Sequence, residues 1–156
     1  MKKIKYYLDT TVFNFKFTDD DPSKRKSTEK FFHDLPEIAE DTFISDVVLR
    51  EIEEAEEPKK SLLKDLVRDT NPVLLEVTSE VVSLAERYIA EGIIPEKYRD
   101  DALHIAVAVV NEIDAIISWN LEHIVKLKTR REVNGINKLL GYHEIEICTP
   151  EEVIEI

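Results

Sequence analysis

The sequence carries one cysteine, one methionine, three glycines and no glutamine among its 156 residues. The single thiol, Cys148, excludes an internal disulfide and any cysteine-built zinc centre, and its late apolar context gives it a packing role. Repeats and low-complexity tracts are absent. No apolar run is long enough to suggest a membrane span. The basic start Met1-Lys2-Lys3-Ile4-Lys5 does not lead into a signal peptide, because Lys5 and Asp9 interrupt the apolar stretch before it reaches useful length. A cytoplasmic protein is the expectation. Basic charge is also in short supply, with 21 lysines and arginines against 33 acids and a formal charge of −12. That balance argues against broad, non-specific adhesion to nucleic acid and leaves room for a local site.

What is present is a globular composition, 43% apolar and 35% charged, in a chain long enough for one core and too short for two comfortable ones. Residues 1–156 therefore read as a single domain. Ile4 to Leu8 is a short apolar and aromatic segment, a central strand with Asp9 at its carboxyl end. Thr10 or Thr11 begins a short helix, and Ser23 to Leu35 forms a surface helix with a basic start. Thr42 to Ile44 is a second strand, followed by Ser45 and Asp46 as capping residues for a helix that carries Glu51. Beyond Pro58, Lys59 to Asp69 is amphipathic. Val73 to Val77 makes a third strand, and a helix capped by Thr78 or Ser79 reaches Ile89 and ends at Gly92. Ala115 to Ile117 is a fourth strand, ending at Ser118-Trp119-Asn120. A helix follows from about Leu121, another holds Ile136, Leu139 and Leu140, and Glu144 to Ile147 is a last strand. Strands alternating with helices imply crossover connections, hence an α/β fold: a three-layer α/β/α sandwich around a mostly parallel sheet of about five strands.

One further helix differs from the others. It opens with Arg99, Asp100 and Asp101 and continues through Ala102-Leu103-His104-Ile105-Ala106-Val107-Ala108-Val109-Val110 with almost no polar interruption. Such a run is buried on most sides and points its first turn at something. Acids favour a helix start for reasons of dipole alone, and they also belong there if the helix brings metal ligands to a cleft. In open parallel sheets function gathers beyond the carboxyl ends of the strands. Four polar groups are placed at that edge: Asp9, Glu51, Asp101 and Asn120. Three carboxylates brought together repel unless they are protonated or bound to a cation, and hard oxygen ligands select Mg²⁺ or Mn²⁺.

The segments Tyr7-Leu8-Asp9-Thr10-Thr11, Ile44-Ser45 with Glu51, Asp101-Ala102-Leu103-His104-Ile105-Ala106 and Ile117-Ser118-Trp119-Asn120 together resemble the PIN domain ribonucleases, the fold of the toxins in VapBC-type toxin-antitoxin pairs. The resemblance runs over nearly the whole length and lies in the order and spacing of the segments. It implies a metal-dependent endoribonuclease whose metal-binding acids fall on Asp9, Glu51 and Asp101, with Mg²⁺ or Mn²⁺ as cofactor. It further implies a 5′-phosphate product, a homodimer, and a cognate antitoxin whose segment occupies the acidic cleft. The family commonly has a fourth acid where this chain has Asn120, and a serine or threonine two residues earlier, matched by Ser118. Asn120 removes one negative charge from the cluster, although its amide oxygen can still bind a metal or orient a water.

Around these, Thr11, Ser118 and Asp100 are auxiliary candidates, Asp100 because neighbours on a helix diverge by about 100°. Glu53 and Glu54 compete with Glu51 for the inward position, and Asn120 is equally suited to cap a helix. His104 and His123 read as packed or hydrogen-bonded histidines in preference to an acid or base. Trp119 offers a surface for stacking a nucleobase or a core aromatic. Lys126, Lys128, Arg130 and Arg131 are candidates for holding RNA phosphates, with Lys24, Arg25 and Lys26 as a second patch. Two other classes stay open: a degenerate domain that binds RNA or protein without cleaving, and an aspartate-nucleophile phosphatase, which wants a second acid where Thr11 stands.

Overall fold

The computed structural model describes residues 3–154, so Met1 and Lys2 of the basic start lie outside the described residues. Strand β1 (Ile4–Leu8) leads into α1 (Thr10–Phe15) and α2 (Pro22–Ile38), then β2 (Ala39–Ser45), α3 (Asp46–Glu53), α4 (Lys59–Thr70) and β3 (Val73–Leu75). Next come α5 (Ser79–Ala90), a single 3₁₀ turn (Glu96–Tyr98), α6 (Arg99–Val110), β4 (Ala115–Ile117), α7 (Leu127–Leu140), β5 (Glu146–Cys148) and α8 (Pro150–Val153). The five strands form one sheet in the order β3-β2-β1-β4-β5, every neighbouring pair parallel. This is the expected PIN-like α/β/α arrangement. Parallel strands need both faces covered, and β1 meets that demand with Tyr6, Tyr7 and Leu8 all buried.

Strand order explains where the polar residues converge. The chain lays down β1, β2 and β3 outward in one direction, then returns to place β4 on the other side of β1. The connections at β1 and β4 therefore diverge at their carboxyl ends and leave a crevice between them, the usual ligand position in a parallel sheet. Tyr6 pairs with Ala115, Tyr7 with Ile116 and Leu8 with Ile117. That register brings Asp9 and Ser118, the next residue of each strand, to the same level.

Helix α6 anchors one wall of the crevice. Eight consecutive residues, Ala102 to Val109, are buried. Its small and branched side chains allow close packing against α5 on one side and against α3 and β4 on others. Its first turn carries Asp100 and Asp101, and His104, one turn on, is the polar side chain of the buried run.

Two expectations from the sequence are corrected. The helix from about Leu121 is a set of turns, because the Asn120 carbonyl accepts from both Ile124 and Val125 N–H and Lys126 is then fully extended. Burial of Ile124 and Val125 pulls this segment into the core, and helix begins only at Leu127. From there it runs unbroken through Ile136 and ends at Gly141, whose φ of +87° is the left-handed geometry of a helix stop. The third strand stops at Leu75 and not at Val77, whose N–H turns away from the sheet to Asp46 Oδ2 at 3.3 Å.

Truncating α6 is expected to be costly where truncating a surface helix is not. Ile105→Ala should lower the unfolding free energy by about 2–5 kcal/mol, whereas Leu62→Ala, at a site 43% exposed on α4, should stay within about 0.5 kcal/mol of the parent. Urea titrations measure both, and similar losses for the two would contradict this account of the core.

Candidate active site

Asp9 ends β1 and caps α1. Its Oδ1 accepts from the Thr11 backbone N–H at 3.0 Å and from the Thr11 hydroxyl, and its Oδ2 accepts from Ser118 Oγ across the crevice. An aspartate favours this cap position, but this one is only 1% exposed. Burial raises its pKa against the lowering effect of His104 and the two hydroxyl donors.

Glu51 enters from α3. Its Oε1 accepts from Thr10 Oγ1 at 2.6 Å and from His104 Nε2 at 2.7 Å, and the side chain is 28% exposed. Burial pushes its pKa up; the hydrogen bonds from His104 and Thr10 and the histidine's charge outweigh this and hold it below the usual value. His104 lies 2% exposed on α6, one turn after Asp101. Burial lowers its pKa, and the Glu51 bond together with the charges of Glu51, Asp9 and Asp101 raises it overall. Its Nδ1 meets the Tyr7 hydroxyl at 2.7 Å, and that hydroxyl meets Ser45 Oγ at 2.8 Å. Glu53, the competing acid on α3, faces outward and pairs with Lys60 and Lys64.

Asp101 stands in the first turn of α6. Burial chiefly, with Asp9 adding to it, pushes its pKa up to about 6, against His104, a hydrogen bond from Asn120, and His123. Asn120 orients itself unambiguously: its Oδ1 accepts from the His123 N–H at 2.9 Å, which leaves its NH₂ to face Asp101. It caps the turn that follows β4 and lies close enough to Asp101 to lower that acid's pKa. Asp100, one residue earlier, points elsewhere and forms a two-pronged pair with Arg50 at 2.8 and 3.0 Å. Since Arg50 precedes Glu51 and Asp100 precedes Asp101, that pair ties the two acid-bearing helices together at the rim.

The site is therefore a crevice in which Asp9 lies within electrostatic reach of both Glu51 and Asp101. Acceptor-only oxygens, partial burial and excess negative charge fit a hard divalent cation by chemistry. Among the described residues no three acids or histidines stand at metal-ligand geometry, with Glu51 Oε1 engaged by Thr10 and His104.

Comparison with solved structures gives several matches across the chain's length. VapC20 of Mycobacterium tuberculosis, described as a sarcin-ricin loop cleaving toxin, aligns at a TM-score of 0.59 with 12% identity, over 90% of this chain and 98% of the other. VapBC of Salmonella typhimurium, bound to DNA, aligns at 0.56 with 16% identity, over 94% and 98%. VapBC2 of Rickettsia felis, bound to a DNA fragment from its promoter, aligns at 0.53 with 13% identity, over 94% and 98%. The chain has the VapC fold. Neither protein-family models nor curated proteins give a match to the sequence.

On this VapC-like frame several suggested RNA contacts take other positions. Trp119 is 5% exposed, donates from Nε1 to Thr28 Oγ1 at 2.8 Å and packs beside Phe15, so it is a core aromatic and not a stacking platform. Arg130 donates to the Ile147 carbonyl and to Glu152, holding α7 against the last strand. Lys128 reaches the Gly92 carbonyl and Glu132. Lys126 is half-buried and Arg131 exposed. In the second patch, Arg25 pairs with Asp19 and Glu29, and Lys24 lies over the rings of Phe15 and Trp119. Among the groups the sequence reading left out of the site are Tyr7, Ser45 and Thr10. A signal for the His104 link existed in its i+3 spacing from Asp101, which puts both on one helix face.

Asp101 carries a pH signature. Its folded pKa of about 6 lies above the unfolded 3.8, so within that window the native state holds the additional proton and stability falls as pH rises. The contribution is complete below the unfolded value and is lost as pH rises through about 6. In chelator, Asp101→Asn should therefore gain stability over the parent as pH is raised from about 4 to about 7. Urea midpoints across that range give the difference, and a constant offset between the two proteins would refute the assignment.

Proposed function

We propose that this chain is a Mg²⁺- or Mn²⁺-dependent endoribonuclease, the toxin of a toxin-antitoxin pair. The observation that carries the reading is the placing of Asp9, Asp101 and Glu51 around one crevice at the carboxyl edge of the sheet, with Asp101 pushed up to about 6 by burial and by Asp9. The VapC fold adds support at the level of architecture. Asp9 and Asp101 would hold the cation, with Glu51 as the third acid. When bound, a divalent cation would supply charge neutralisation at the phosphodiester and a lowered pKa for an attacking water; a 5′-phosphate product belongs to this reading. Thr11 and Ser118 fix the rotation of Asp9, and Asn120 beside Asp101 favours that acid's charged form. An asparagine is suited to that task, because an acid in its place would add repulsion to a carboxylate that already resists ionisation.

The RNA backbone is met by cations at the periphery, of which Arg131 and Lys126 enter no ion pair among the described residues. A homodimer working in the cytoplasm, silenced by an antitoxin segment that enters the acidic crevice, completes the reading. A second reading, binding without cleavage, is favoured by the spacing of the acids, no three of which stand at metal-ligand geometry among the described residues. The phosphatase reading is disfavoured, since Thr11 stands where that chemistry wants a second acid.

Purified protein should cut structured and unstructured RNAs with Mn²⁺ or Mg²⁺ and stop in chelator. Asp9→Asn and Asp101→Asn should each lose about 100-fold or more in rate, the loss of several kcal/mol of charge stabilisation. Cleavage that survives chelation or either substitution overturns the proposal, and tight RNA binding without cleavage under any divalent metal supports the second reading.

A further inference from the structure

A line of five polar side chains drawn from five different elements crosses the core: Ser45 at the end of β2, Tyr7 in β1, His104 in α6, Glu51 in α3 and Thr10 in α1. Its links are 2.8 Å from Ser45 Oγ to the Tyr7 hydroxyl, 2.7 Å from that hydroxyl to His104 Nδ1, 2.7 Å from His104 Nε2 to Glu51 Oε1 and 2.6 Å from Glu51 Oε1 to Thr10 Oγ1. Ser45 Oγ also accepts from the Val47 N–H at 3.2 Å. Four of the five are buried, and only Glu51 reaches solvent.

The direction of the bonds follows from chemistry. A carboxylate only accepts, so His104 Nε2 carries the hydrogen and donates to Glu51. Both ring nitrogens are then engaged, which leaves the imidazole no freedom to rotate. Along the Ala102–Val110 body of α6, otherwise alanine, valine, leucine and isoleucine, packing alone calls for an apolar side chain, since each buried polar atom must find a partner. The consequence of the arrangement lies at Glu51: Oε1 takes both protein donors, while Oε2 takes none among the described residues and is not enclosed.

We propose that His104 is the positioning residue of this site, fixing the Glu51 carboxylate by its Oε1 so that Oε2 is the oxygen offered to a divalent cation. This rests on the cation-dependent reading above. Tyr7 and Ser45 hold the imidazole, so they act one step further back. Groups that orient metal ligands from behind commonly alter metal affinity by about 10- to 100-fold when removed.

Mn²⁺ binding to the full chain, followed by calorimetry, tests the proposal without reference to cleavage. His104→Leu, with its fold checked by circular dichroism, should bind Mn²⁺ about 10- to 100-fold more weakly than the parent. His104→Gln places an amide donor near the Nε2 position and should recover most of that loss, which a filler of volume alone would not achieve. If His104→Leu does not fold, the imidazole ¹⁵N resonances of the parent give a second test: His104 Nε2 should shift on Mg²⁺ titration with the midpoint of the binding isotherm. A folded His104→Leu with parental Mn²⁺ affinity, or an Nε2 resonance unmoved at Mg²⁺ saturation, overturns the positioning role alone. A parent that binds no divalent cation overturns the functional reading beneath it as well.

Discussion

Asp9, Glu51 and Asp101 are brought from three separate elements to one edge of a parallel sheet, and the burial that holds them there opposes their charge. Two of them, Asp9 and Asp101, have raised pKa values for that reason. The third is held as an anion by His104, which answers it with hydrogen bond and charge. A cluster of this kind works against stability unless something else holds it in place. Here the restraint comes from the apolar body of α6, packed on all sides, and from the register of β1 with β4, which sets Asp9 opposite Ser118.

The rim adds a weaker constraint. Arg50 and Asp100 join α3 to α6 by a two-pronged pair with both side chains partly in solvent, a contact worth no more than about 1 kcal/mol. Its value is geometric: each partner is the immediate neighbour of a carboxylate in the crevice. Strand order, core helix and rim pair thus act on the same few atoms from three directions. Any reaction at this edge inherits its orientation from them.

Much of this was legible in the chain itself. Alternating apolar segments specify a parallel α/β sheet, and Asp9 and Asp101 declare themselves by lying at the end of a strand and the head of a buried helix. Glu51 could not be separated from Glu53 and Glu54 by periodicity, because all lie in one acidic run; the structure separates them through lysine partners for Glu53 and a buried histidine for Glu51. The network through Tyr7 and Ser45 depends on contacts between residues 38 and 97 positions apart, and no local pattern encodes it. The core placement open to Trp119 from the sequence is the one it takes, with a partner, Thr28, 91 positions away; the turn after Asn120, which delays the helix until Leu127, was not legible. At that turn tertiary packing prevailed over local preference.

The VapC fold accounts for the architecture, and at 12–16% identity it carries no more than that. Within that frame the site's own detail lies in Asn120 beside Asp101 and in a histidine that grips Glu51. The most direct measurement of the central claim is anomalous scattering from crystals soaked in Mn²⁺. One or more manganese peaks should lie in the crevice with Asp9 and Asp101 as ligands and Glu51 Oε2 turned toward them. Saturated crystals with no peak there, or with manganese only at surface acids, would contradict the assignment of this crevice as a cation site.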